Sequence, residues 1–207
     1  MNLKDNPTRQ EKAQKTKLAI YHSAENLFQK HSFETVNVDD IVKNANVSKG
    51  SFYVHFDSKD ALIAYYISDY VQRVDADYKS HLSQLPENLP IEEVLLSLVA
   101  KIAQVIEEDL GCENMKTLYR IQLSNTLKNN ASLQYNRDLY DLFYTILKKG
   151  MDQEIFTKDL SPEEAADHFI LGFRGLVYDW CVRDQVFSLK EKVQKHFNIL
   201  IHGLTVH

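Results

Sequence analysis

The chain has 207 residues, enough to bury a sizeable core as one helical domain or as a small module joined to a larger one. Apolar residues make up 44% and charged residues 26%, with only 6 Gly and 4 Pro, which excludes a linker, a disordered tail and a turn-rich, mostly β chain. The formal net charge of −5 is unevenly placed, +3 over residues 1–17 and −6 over residues 61–207, so overall acidity does not exclude an anionic partner.

The opening MNLKDNPTRQEKAQKTK has no apolar run, and it forms a basic arm ending at Lys17 that can contact phosphate. Residues 16–31 place Ile20, Ala24, Leu27 and Phe28 at helical spacing and predict an amphipathic first helix. After the break SFETVN, Asn37 is placed to N-cap VDDIVKNA, with Asp39 and Asp40 in the first turn, where the helix dipole favours carboxylates. Asn46 supplies a residue that tolerates the left-handed turn, Ser48 caps a short third helix KGSFYVHF, and Ser58 caps a fourth. Two short helices joined by a turn of about four residues are the helix-turn-helix layout.

Longer helices follow. Ile91, Val94, Leu95, Leu98, Val99, Ile102, Val105 and Ile106 mark one that stops near Gly111, and 113–127 and 133–149 read as two more. The stretch around VLLSLVAKIAQVI is broken by Lys101 and Gln104, so no membrane span is expected and a cytoplasmic protein is. Ser161, Pro162 and two Glu start the next helix, and the last runs over about 188–204. Cys112 and Cys181 lack metal-ligand spacing and are expected to be buried free thiols. Glu164 and His168 share one helix face at i, i+4 without a third ligand, and no nucleophile motif or phosphate loop is present, so neither an enzyme nor a cofactor or metal is expected.

FETVNVDDIVKNANVSKGSFYVHFDSKDALI, residues 33–63, resembles the DNA-binding signature of the TetR family of bacterial transcriptional regulators, closely over residues 16–66 and only in plan beyond. The resemblance implies an all-α fold of about nine helices: a three-helix helix-turn-helix DNA-binding domain over residues 1–60, and a helical effector-binding and dimerisation domain over 61–207. It implies that the third helix enters the major groove, with Lys49, Ser51 and Val54 or His55 toward DNA and Tyr53 on a phosphate, flanked by Ser48 and Gly50. Asn37, Lys59 and Lys17 would contact the DNA backbone, while Phe52 and Phe56 face inward. Gly50 carries weight of its own, because glycine costs a helix about 1 kcal/mol relative to Ala and a close backbone-to-phosphate approach would explain it. Ser32 and Asn46 stand where many members have Gly.

For the C-terminal part the resemblance implies an effector pocket, with Tyr119, Arg120, Tyr140, Phe143, Phe169, Phe173 and Arg174 as candidates, and a two-helix dimer interface anchored by Phe169, Phe173, Trp180, Phe197, Leu200 and Ile201. The partners implied are a palindromic double-stranded DNA operator, a second copy of the chain as homodimer, and an unknown small-molecule effector that releases a repressor. An activator, or a helical carrier or enzyme that does not use DNA, are the alternatives.

Overall fold

A computed structural model describes residues 8–124 and 137–206 of the chain. The described residues form nine α-helices: α1 Arg9–Phe28, α2 Val38–Ala45, α3 Lys49–His55, α4 Lys59–Ser83, α5 Ile91–Gln104, α6 Cys112–Leu123, α7 Arg137–Asp152, α8 Pro162–Val182 and α9 Leu189–Leu204. A six-residue π-helical turn, Val105–Leu110, continues α5 and is stopped by Gly111, whose φ of 78° suits a residue without Cβ. The parts of the two predicted helices that fall within 125–136 lie outside the described residues.

The first helix begins about two turns before the predicted start. Thr8 and Glu11 form a capping box, Thr8 Oγ1 accepting the Glu11 N–H and Glu11 accepting the Thr8 N–H. Arg9, Lys12, Lys15 and Lys17 therefore ride on a helix rather than on an extended arm. The predicted caps recur further on: Asn37 Oδ1 takes the Asp40 N–H at 2.9 Å, Ser48 Oγ the Ser51 N–H at 3.1 Å, and Ser161 caps α8 beside Pro162. Glu164 belongs to that last capping box, which removes it from the pair considered with His168.

The described residues divide into two compact units. One holds the chain up to Asp69 with the part of α6 from Thr117, and the other holds Tyr70–Lys116 with α7 to α9. In the first, Ile20, Ala24, Phe28, Phe33, Ile41, Phe52, Leu62 and Ile63 are buried, and the Ser23 hydroxyl ties α1 to α2 by donating to the Ile41 carbonyl at 2.7 Å. In the second, α5 packs on α9 and α7, α7 on α8, and α8 on α9. The Phe143, Phe169, Phe197 and Phe173 rings run through that core with successive centroids 5.4, 5.1 and 5.9 Å apart. Glu107 of the π-helical turn accepts the Leu189 and Lys190 N–H groups, each at 3.1 Å, and so fixes the start of α9.

Candidate nucleic-acid interface

Three residues, Asn46, Val47 and Ser48, join α2 to α3. Asn46 closes α2 in the left-handed conformation at φ 53°, and the Val47 N–H returns to the Val42 carbonyl at 3.0 Å, so an Asn does here what Gly commonly does. Beyond the turn, α3 is two-faced. Phe52 is fully buried and Phe56 nearly so, their rings 5.9 Å apart, while Tyr53 is 50% and Val54 79% exposed. Lys49 and Gly50 are also exposed, and Ser51 and His55 are half-buried. A seven-residue helix that sinks two aromatic rings and presents Lys, Ser, Tyr, Val and His outward can offer hydrogen-bond donors and an apolar contact to base edges together.

A Cβ built on Gly50 would meet only Ser48 Oγ, at 3.8 Å, so nothing among the described residues requires glycine there. Lys49 Nζ bonds the Asp39 carboxylate, which pushes the ammonium up from its ordinary value. The Ser48 and Ser51 hydroxyls bond one another at 2.8 Å. Lys17 lies with its ammonium 4.5 Å from the Tyr65 ring centroid and 5.6 Å from that of Phe56, a cation–π placement beside the end of α3.

Lys59 departs from its expected role. Its ammonium donates to the carbonyls of Phe33, Glu34 and Val36 at 3.0, 3.2 and 3.0 Å, which occupies all three donors. It staples the segment after α1 to the start of α4 and has no N–H left for a phosphate. Arg120, predicted to line a pocket, is exposed; it forms a two-point ion pair with Asp60 at 3.1 and 3.2 Å and lies 3.8 Å from Glu34.

The remaining effector and dimer candidates divide differently from expectation. Phe143, Phe169 and Phe173 are close-packed core rings, Tyr119 and Tyr140 are half-buried, and Arg174 is exposed. Two open grooves, one of about 450 Å³ beside Ser97 and Lys190 and one of about 600 Å³ beside Leu27 and Lys43, are lined by none of these seven. Of the dimer anchors, Phe169, Phe173, Trp180, Phe197 and Ile201 are buried in the protomer's own core, and Leu200 is half-buried. Helical period does not say whether an apolar face is covered by the same chain or by a second one. On these two helices the large apolar residues left exposed are Leu171, Tyr178 and Val182 on α8 and Ile199 on α9.

A capped helix, a three-residue turn and a second helix with its polar side outward make this a helix-turn-helix DNA-binding protein. Comparison with known proteins agrees. Residues 20–66 match the family model described as bacterial regulatory proteins, tetR family. Over 68 residues the chain is 31% identical to the HTH-type transcriptional regulator EthR of Mycolicibacterium smegmatis, a match spanning 33% of this chain and 31% of that one. It is 28% identical to the HTH-type regulator YdgC of Bacillus subtilis, over 89% of this chain and 90% of that one. The fold is shared with FadR of Thermus thermophilus, a TetR-family transcriptional repressor solved with lauroyl-CoA, at a TM-score of 0.69, 23% identity, and coverage of 92% of this chain and 96% of that one. Residues 20–66 therefore carry the helix-turn-helix domain of the bacterial regulatory proteins of the tetR family, and the chain shares the fold of a TetR-family repressor.

Proposed function

We propose that this regulator is a repressor that binds a palindromic operator as a homodimer and leaves it when a small molecule enters the second unit. The observation that carries the DNA-reading part is the division of α3 into a buried Phe52/Phe56 side and an exposed side bearing Lys49, Gly50, Tyr53 and Val54. Lys49 and Ser51 donate to base edges or phosphate, Val54 meets a thymine methyl, and Tyr53 and Lys17 hold the backbone. Asn37 is exposed, its side-chain oxygen accepting the Asp40 N–H, and Asp39 and Asp40 beside it oppose a phosphate at the start of α2.

Dimerisation through the outer faces of α8 and α9 fits their pattern. Leu171, Gly175, Tyr178 and Val182 follow one another at i, i+4, i+7 and i+11, opposite Phe169, Phe173, Val177 and Trp180. Gly175 and Gly203 have open space where a Cβ would stand, which lets a second backbone approach. A two-fold dimer sets its α3 helices about 34 Å apart and so demands a palindrome.

An effector site is supported by the Trp180 indole N–H, which is buried without a hydrogen-bond partner among the described residues. An acceptor on a mostly apolar ligand would satisfy it. A ligand that binds better to the conformation with mis-spaced α3 helices weakens DNA binding by the same factor.

The test is selection of duplexes from a random library, followed by anisotropy titration with and without lauroyl-CoA as first probe, while the fluorescence of the chain's one Trp is recorded. Enrichment of a palindrome, steep loss of affinity with salt and ligand-induced release are expected. Enrichment of no sequence would refute the operator reading, and a palindrome bound only by monomers would refute the dimer.

A further inference from the structure

The chain's two cysteines stand 69 residues apart in sequence, yet meet in the core of the second unit. Cys112 opens α6 and Cys181 is the last residue but one of α8. Both are free thiols, 1% and 3% exposed. Each Sγ lies 4.0 Å from the carbonyl oxygen of the other residue, so the two cysteines are immediate neighbours. This reciprocal arrangement brings the two cysteines together where α6 begins and α8 ends. Two cysteines serving only as small hydrophobes have no need to touch.

We propose that Cys112 and Cys181 are a dithiol that a hydroperoxide oxidises to an intramolecular disulfide, tying the start of α6 to the end of α8. In the first step the Cys112 thiolate attacks one peroxide oxygen. The S–O bond forms as the O–O bond breaks, and the departing oxygen takes up the proton lost by the thiol and leaves as water or alcohol. In the second step the Cys181 sulfur attacks the Cys112 sulfenic acid and expels hydroxide, which leaves as water with the Cys181 proton. Two thiols lose two electrons and two protons in all, and the peroxide is reduced by two electrons.

The order follows from the surroundings. Burial pushes both thiols up, Cys181 to about 12. For Cys112 this is opposed by the neighbouring Cys181 thiol and by the ammonium of Lys116, one turn along α6. Cys112, which shares its helix with the Lys116 ammonium one turn on, is assigned as the attacking thiol and Cys181 as the resolving one. That ammonium also bonds Asp184 and Glu113. It thereby holds the turn after α8, where Asp184 and Gln185 keep left-handed φ of 48° and 60°.

The test uses the full chain, purified reduced, exposed to hydrogen peroxide, blocked with N-ethylmaleimide and peptide-mapped. A Cys112–Cys181 linked peptide within one chain, released by dithiothreitol, is expected. Linkage between chains, sulfinic acid without linkage, or complete maleimide labelling of both thiols would each overturn the proposal. Dimedone should then label Cys112 in Cys181→Ala and leave Cys181 unlabelled in Cys112→Ala, and the reverse pattern overturns the assigned order. The mapping of the unmutated chain stands whether or not either variant folds.

Discussion

Lys49 and Asp39 face one another across the turn between α2 and α3, with Nζ 2.9 Å from a carboxylate oxygen. Both side chains are largely exposed, so the pair contributes little to the fold. Its effect falls on binding, because an operator must draw Lys49 away from Asp39. Asp39→Asn is expected to raise operator affinity, and Lys49→Ala to lower it roughly five- to hundredfold. Anisotropy titrations measure both, with melting temperatures that stay put. Weaker binding by Asp39→Asn would mean that the carboxylate itself contacts DNA, for instance a cytosine amino group.

Gly50→Ala separates the fold from DNA approach. There is room for the methyl inside the protomer, since the nearest atom is Ser48 Oγ at 3.8 Å. Helix propensity then predicts stability that is unchanged or higher by up to about 1 kcal/mol. If the backbone at Gly50 lies against a phosphate, affinity drops all the same. A thermal melt and a titration on the same sample decide it, and full affinity in the variant would leave the glycine without a role in binding.

Lys59 was expected on the DNA backbone, and its structural role was not legible because its three carbonyl acceptors come from a break 23 to 26 residues upstream. Lys59→Met leaves those carbonyls without their donor and should cost of order 1–2 kcal/mol, seen as a lower melting temperature. The salt dependence of DNA binding should keep its slope, as no phosphate contact is lost. A flatter slope with an unchanged melt would restore Lys59 to the interface.

What could be read without coordinates was local. The Asn37, Ser48 and Ser161 caps, the left-handed Asn46 and the inward Phe52 and Phe56 each follow from a residue type and a spacing of a few positions. The Lys49–Asp39 and Arg120–Asp60 pairs join residues that only the packed fold brings together. For Phe169, Phe173, Trp180 and Phe197 the period was right but the owner of the buried face was not, since core and interface are written with the same residues. Thr8 went unnoticed because the helix it starts is polar for its first two turns.

Asp75 on α4 is a carboxylate only 8% exposed. Burial first, and then the like charge of Asp138, push it up from 3.8 to about 6, against a smaller opposing pull from Lys79. The folded state therefore binds more protons than the unfolded state between these values, so stability falls as pH rises from about 4 to about 6 and stays lowered above that. Asp75→Asn removes the ionisation and should stabilise the chain at pH 8 by up to about 3 kcal/mol, an advantage that fades as pH approaches 4. Chemical denaturation at a series of pH values measures it. A variant less stable than the parent at pH 8 would show that the charged form is compensated.

The outer and inner faces of α8 and α9 should respond to mutation in opposite ways. Leu171 is 62% and Ile199 72% exposed, so Leu171→Glu with Ile199→Glu removes no packing within the protomer but sets charges on the face assigned to the second copy. The expected result is full helicity by circular dichroism, a monomer by light scattering, and much weaker binding to the palindrome than to be expected from any change in α3, with half-site binding retained. Phe197, fully buried against Phe169 and Phe173, gives the contrast: Phe197→Ala should cost about 3–5 kcal/mol of folding stability before it touches assembly. A double-Glu variant that still runs as a dimer would place the interface elsewhere on the second unit.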